Sequence, residues 1–430
     1  MSHPPPEPVP AGSTKPTSRL VRPAMLLGFM WFAYLLNYAD RQAVFAMFPS
    51  LKRDLGMSDD QLGLVGAAFL WVYAIGCPIA GQLADRWSKR SLAVASLAIW
   101  SVVTLSTGLA TGPVMLLLLR TAMGISESLF MPGAIALTAN AHAPHQRSRA
   151  IAILTTAQIV GTIGGSAFGG WMADQGRWRG AFFALGILGL IYALPYLRFL
   201  RSLPANLDRS ETAAPSGLAF PVLLKTPSFL VLCTIFPVFL FGLWLLYGWL
   251  PNFLHDKFSL DQTQAAWNAT LALQSATIAG LLGGGWIADR LHRRTPASRL
   301  WILAASLLLS APFLHLIGNA ATLNGTRLAA AAFGMFSGLL MGNIFPAAFE
   351  VLPVHVRASA VGTLNLCGGL MSGCATLFGG VWKKSLGIDR LMTFTAVGYL
   401  AAAALLVLAI RLLFEADHRK AQSSPTPSPH

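Results

Sequence analysis

Apolar runs of about twenty residues, separated by short polar stretches, repeat along almost the whole chain. A helix needs about 20 such residues to cross a hydrocarbon core of roughly 30 Å, so each run predicts one membrane-spanning helix. Twelve are found, near 24–48, 62–83, 91–111, 113–139, 149–172, 179–200, 227–251, 265–288, 298–318, 326–351, 357–382 and 389–414. A polar segment carrying Pro204, Asp208, Arg209, Glu211 and Pro215 separates the first six from the second six. The predicted class is an all-α polytopic membrane protein of twelve transmembrane helices in two six-helix halves. The boundaries expected are 1–23, a disordered cytoplasmic leader; 24–200, the N-terminal half; 201–226, a cytoplasmic linker; 227–414, the C-terminal half; and 415–430, a disordered cytoplasmic tail.

Composition agrees with this pattern. Of 430 residues, 54% are hydrophobic and 11% charged, against roughly 25% charged in a soluble domain. The net charge of +14 raises the question of nucleic acid, but the Lys and Arg lie between apolar runs and form no basic soluble face. They report orientation instead. With the N-terminus inside, 20 of them fall on the cytoplasmic side and 9 opposite, leaving Arg41 and Arg120 within spans. By the positive-inside rule both termini are cytoplasmic. The four cysteines sit in apolar runs without metal-ligand spacing, so packing is expected and no metal site or disulfide framework. No G-x-x-x-x-G-K-[ST] loop occurs, which argues against nucleotide drive. No nucleophile–base or metal spacing suggests an enzyme.

Charge inside the apolar runs is the candidate chemistry. Asn37-Tyr38-Ala39-Asp40-Arg41 lies in the first span and Arg120…Gly124…Glu127 in the fourth. A charge at mid-bilayer costs at least about 2.5–3.5 kcal/mol on insertion scales, so such residues are expected to be partnered and functional. At about 1.5 Å per residue, Asp40 lies roughly 12 Å below the outer face, Arg120 roughly 10 Å and Glu127 roughly 21 Å. A coupled cluster of Asp40, Arg41, Arg120 and Glu127 is therefore expected. Desolvation raises a carboxylate pKa and a neighbouring arginine lowers it, so alternating exposure can load and release a proton. Asp40 and Glu127 are assigned to proton coupling, Arg41 and Arg120 to substrate-anion binding or gating. Asn37, Tyr38, Gln158, Trp244, Tyr247, Gln274, Asn343 and Asn365 are possible cavity-lining residues, although single polar residues also bridge helices.

The halves also repeat. Gly81-Gln-Leu-Ala-Asp85-Arg86-Trp-Ser-Lys89-Arg90 recurs as Gly285-Trp-Ile-Ala-Asp289-Arg290-Leu-His-Arg293-Arg294, each at the end of the second span of its half. Two parallel halves are the expected architecture. This G-x-x-x-D-R-x-x-[KR]-[KR] pattern resembles the signature loop of the major facilitator superfamily. The resemblance implies a central cavity between the halves. It also implies a cytoplasmic latch carried by Gly81, Asp85, Arg86 and Arg90, with Gly285, Asp289, Arg290 and Arg294 as counterparts. Within that family the first- and fourth-span motifs resemble the Spinster-like branch, which moves lysolipids and sphingoid lipids. They also resemble the anion:cation symporters of sugar acids, to which Pro132-Gly133 and Trp249-Leu-Pro-Asn-Phe-Leu add. The implied function is proton-coupled, alternating-access transport of an anionic or amphipathic organic solute, lysolipid-like first and sugar-acid second. A non-transporting sensor or scaffold is a third reading. The expected setting is the bacterial inner membrane, as a monomer without cofactor, driven by the proton gradient and with no nucleic-acid partner.

Overall fold

The computed structural model describes residues 23–204, 207, 219–293 and 295–423. In chain order its helices are α1 (Pro23–Ala46), α2 (Phe48–Leu55), α3 (Asp59–Arg86), α4 (Lys89–Thr107), α5 (Pro113–Ser128), α6 (Phe130–Ala141), α7 (Pro144–Asp174) and α8 (Trp178–Ser202). They continue as α9 (Ala219–Leu224), α10 (Pro227–Phe258), α11 (Gln262–His292), α12 (Ser298–Asn319), α13 (Leu323–Glu350), α14 (Arg357–Lys383), α15 (Ile388–Leu412) and α16 (Phe414–Ser423). No strand occurs among the described residues. Eleven spans are long and apolar enough to cross a membrane, counting α5 and α6 as one. The twelfth is α1, whose 24 residues include Asp40 and Arg41.

Two differences from the expected spans have local causes. The fourth span is broken at Leu129, between α5 and α6. Pro132 has no N–H, and its ring crowds the carbonyl four residues back, at Ser128, so the helix turns there. The tail expected to be disordered from Glu415 onward is instead helical as far as Ser423. It is docked by Asp417 Oδ2, which accepts from the Ser228 amide at 2.9 Å, and by His418 Nδ1, 2.7 Å from the Glu350 carbonyl.

With twelve spans, the start of α1 and the end of α15 lie on one face, the termini face, opposite the far face. Exposed Trp87, Trp286 and Trp301 lie near helix ends at the termini face, and Trp171, Trp267 and Trp382 near the far face. Two such bands are the usual aromatic belts at the lipid–water boundary. Inside, backbones approach through small residues. A Cβ at Gly161, Gly165 or Gly169 of α7 would meet the backbone of Leu35, Ala39 or Ala43 of α1. The spacing of four on both helices makes one continuous seam. Gly280 of α11 and Gly334 and Gly338 of α13 do the same for that pair.

Contacts between the halves concentrate toward the far face. Trp71 Nε1 of α3 donates to the Leu370 carbonyl of α14 at 2.8 Å, and the Phe48 and Trp249 rings lie 5.1 Å apart. Lys383 reaches Asp59 at 3.8 Å. Asp174, at the end of α7, accepts from the Gln262 and Thr263 amides at 2.9 and 2.7 Å, capping α11 from the opposite half. On α3 the contact with α14 runs as far as Ala74, beside Gly369. Beyond it, a Cβ at Gly81 or Gly362 would meet nothing within 4 Å, and Ile79 is 60% exposed. The halves are closed at the far face and parted at the termini face.

Candidate functional site

The four intramembrane charges are enclosed, at 0–3% exposure. The expected cluster is a set of buried side chains between α1, α3, α4 and α5. Arg41 and Glu127 are brought together, with Nη2 2.8 Å from Oε2. Helical side chains lean toward the N-terminus of their own helix. Arg41 therefore runs back along α1, past Asn37 Oδ1 at 3.4 Å, and meets a glutamate lying deeper than itself. Its guanidinium also faces the rings of Tyr38, Phe69 and Tyr73 at 4.4, 4.7 and 4.6 Å. Cation–π contacts at a desolvated site are worth about 2 kcal/mol or more. The cage thus lets Arg41 stay charged in the membrane with a single carboxylate partner.

Asp40 and Arg120 feel each other's charge but make no direct ion pair among the described residues. Asp40 Oδ2 accepts from Thr104 Oγ1 of α4 at 3.1 Å. Arg120 lies over the Phe182 ring at 5.4 Å, with Nη1 3.3 Å from Met123 Sδ. Asp40 Oδ1, Glu127 Oε1, Arg41 Nε, and Arg120 Nε and Nη2 have no hydrogen-bond partner. Buried polar atoms are usually hydrogen-bonded, so these atoms keep bonding capacity that the neighbouring side chains do not use.

The other expected residues divide. Gln158 accepts from Tyr34 at 3.1 Å, Tyr34 and Tyr38 meet edge to face at 5.2 Å, and Trp244 meets Tyr247 at 5.5 Å. Gln274 is buried at 2% exposure. Asn343 Nδ2 donates to the Leu339 carbonyl of its own helix at 2.8 Å, beside Gly284 of α11, so it serves helix packing. Asn365 is exposed. At the termini face, Asp289 pairs with Arg299 at 3.1 Å, and Arg299 with Glu350 at 2.5 Å. Arg290 lies over Trp286 at 5.7 Å. Arg90 Nη1 donates to the Leu203 carbonyl at 2.7 Å. Gly285, like Gly81, has open space around it. The side chains of Asp85 and Arg86, and all of Arg294, lie outside the described residues. Sequence reading missed Phe69, Tyr73 and Thr104. The i, i+4 aromatic pair on the helix beside α1 was the available signal for the first two.

Twelve spans, a seam of small residues, two parted halves and ionic groups buried within the first of them define a polytopic membrane transporter. The model of the Major Facilitator Superfamily matches residues 30–376, and the chain belongs to that family. It is a transporter and not an enzyme. It is 26% identical to the Hexuronate transporter of Bacillus subtilis, over 89% of this chain and 91% of that one. It is 28% identical to Protein spinster homolog 1 of Homo sapiens, over 69% of this chain and 60% of that one. In fold it resembles a bacterial homolog to the human lysosomal transporter Spinster in an inward-facing and occupied conformation. That match has a TM-score of 0.78 at 22% identity, over 94% of this chain and 99% of that one.

Proposed function

We propose that the chain is a proton-coupled transporter of a small organic anion, acting by alternating access. The observation that carries this reading is the Arg41–Glu127 pair, with one contact at 2.8 Å and an unpartnered oxygen and nitrogen left over. A proton on Glu127 removes the charge that holds Arg41. The freed guanidinium then presents a planar pair of donors to a substrate carboxylate. Loss of the proton restores the internal pair and displaces the anion. Asp40 acts as a second proton carrier and Arg120 as an anion or gating partner. The termini are assigned to the cytoplasm of a bacterial inner membrane, from the excess of Lys and Arg on their face. The Gly81–Arg90 and Gly285–Arg294 loops are assigned to a latch that engages when the termini face closes.

Sugar acids are placed ahead of lysolipids, the reverse of the order suggested by sequence. Relatives similar over about nine-tenths of the chain are named for hexuronate, sulfoacetate and 3-(3-hydroxy-phenyl)propionate, all small organic anions and none a lysolipid. An amphipathic solute keeps support from the aromatic lining at Trp244 and Tyr247, which adds no charge from the second half. The test is uptake into proteoliposomes under an imposed pH gradient, across hexuronates, sulfoacetate and lysolipids. Accumulation of a sugar acid that follows the gradient is expected. Uptake indifferent to the gradient would remove proton coupling, and lysolipid uptake alone would restore the other class.

A further inference from the structure

A groove of about 530 Å³ opens between the start of α4 and the end of α8, at the termini face. We propose that it holds the headgroup of an anionic phospholipid from the adjoining leaflet. Its rim carries Arg90, Ser91 and Arg201, and among the described residues no acidic side chain lines it. Arg90 is fixed there by its bonds to the Leu203 and Leu200 carbonyls, at 2.7 and 3.5 Å. Arg201 is exposed and has no hydrogen bond or ion pair within the described residues. Arg198, one turn earlier on α8, is also exposed and adds to the positive field. The end of α4 itself adds little, because Ser88 Oγ already takes the Ser91 amide at 3.3 Å.

Deeper along the same walls the groove turns apolar, at Val94 of α4 and Leu197 of α8. Val94 is four residues beyond Arg90, and Leu197 four before Arg201, so each lies about 6 Å further into the bilayer. Cations at headgroup depth above an apolar wall match a phosphate with acyl chains below it. A free anion would leave the apolar part of the groove unused. Basic pockets between spans at a membrane surface attract anionic lipid, at about 1 kcal/mol per cation near the surface. The site is separate from the buried charges of α1 and α5 and does not depend on what is transported.

Native mass spectrometry of the full chain, released from nanodiscs of equal phosphatidylglycerol and phosphatidylcholine, tests this. The expected result is retention of phosphatidylglycerol in several-fold excess. Arg201→Gln should reduce that excess several-fold, and Arg201→Glu should abolish it. Arg411→Gln, an exposed cation at the same face in the other half, should leave it unchanged. Equal retention of both lipids, or the same excess in the Arg201 variants, would overturn the proposal. So would complete displacement by inorganic phosphate, which would make the groove a free-anion site.

Discussion

Glu127 has one ionic partner and one idle oxygen, and both facts bear on substitution. Glu127→Gln keeps the shape but cannot lose a proton, so gradient-driven uptake in proteoliposomes should fall to background. Exchange of preloaded substrate should persist; normal gradient-driven uptake would take Glu127 out of the coupling. Glu127→Ala is a different experiment, because it strands a buried guanidinium. Removing one partner of a buried pair costs about 3–5 kcal/mol, so this variant should melt well below Glu127→Gln in detergent. Thr104→Val isolates the second carboxylate, since Thr104 is the side chain that donates to Asp40. It should shift the pH dependence of transport without a large loss of stability, and an unmoved profile would assign Asp40 to packing.

Between helices, rotation about the axis decides who meets whom, and here sequence reading reached its limit. The apolar runs made the spans legible, and the charges inside them were visible at once. Neighbouring residues on a helix point about 100° apart, so Asp40 and Arg41 look toward different helices. Arg41 faces α3 and α5, while Asp40 faces Thr104 of α4. Depth grouped the four charges as one cluster but carries no rotational information, so it did not say which of them would touch. The Gly161–Gly165–Gly169 seam packs on α1, a partner that glycine spacing alone does not name. Gly165→Leu should force α1 and α7 apart, costing about 1–3 kcal/mol or more by overpacking, read as a lowered thermal midpoint. The helical stretch after Glu415 escaped notice because it is short and polar, and it is held by tertiary bonds to Ser228 and Glu350 rather than by its own pattern.

The whole molecule is closed at the far face and parted at the termini face, and Asp174 links the two halves at the closed end. Opening that end strips two α11 amides of their carboxylate. Loss of a cap costs about 0.5–2 kcal/mol, and 1.4 kcal/mol is a factor of ten in population. Asp174→Ala should therefore raise the share of far-face-open molecules by roughly twofold to thirtyfold. A Thr376→Cys reporter, in a background freed of the native cysteines, would then label faster from the far side. Unchanged labelling would reduce Asp174 to a local helix cap.

With both carboxylates ionised, the four charges buried in α1 and α5 cancel: Asp40 and Glu127 against Arg41 and Arg120. A membrane interior tolerates such a set because it is neutral as a unit. One added proton leaves it at plus one, and a bound monoanion brings it back to zero. On the proposed coupling, a carrier loaded with one proton and one monoanion crosses the field as silently as the empty carrier returns. A dianion needs both carboxylates protonated, and two buried carboxylates set the ceiling for this site at two protons per cycle. Uptake of a monocarboxylate should therefore follow a pH gradient and ignore a potassium diffusion potential set with valinomycin. If the potential alone drives uptake, more protons move than the anion neutralises, and a further group must carry them.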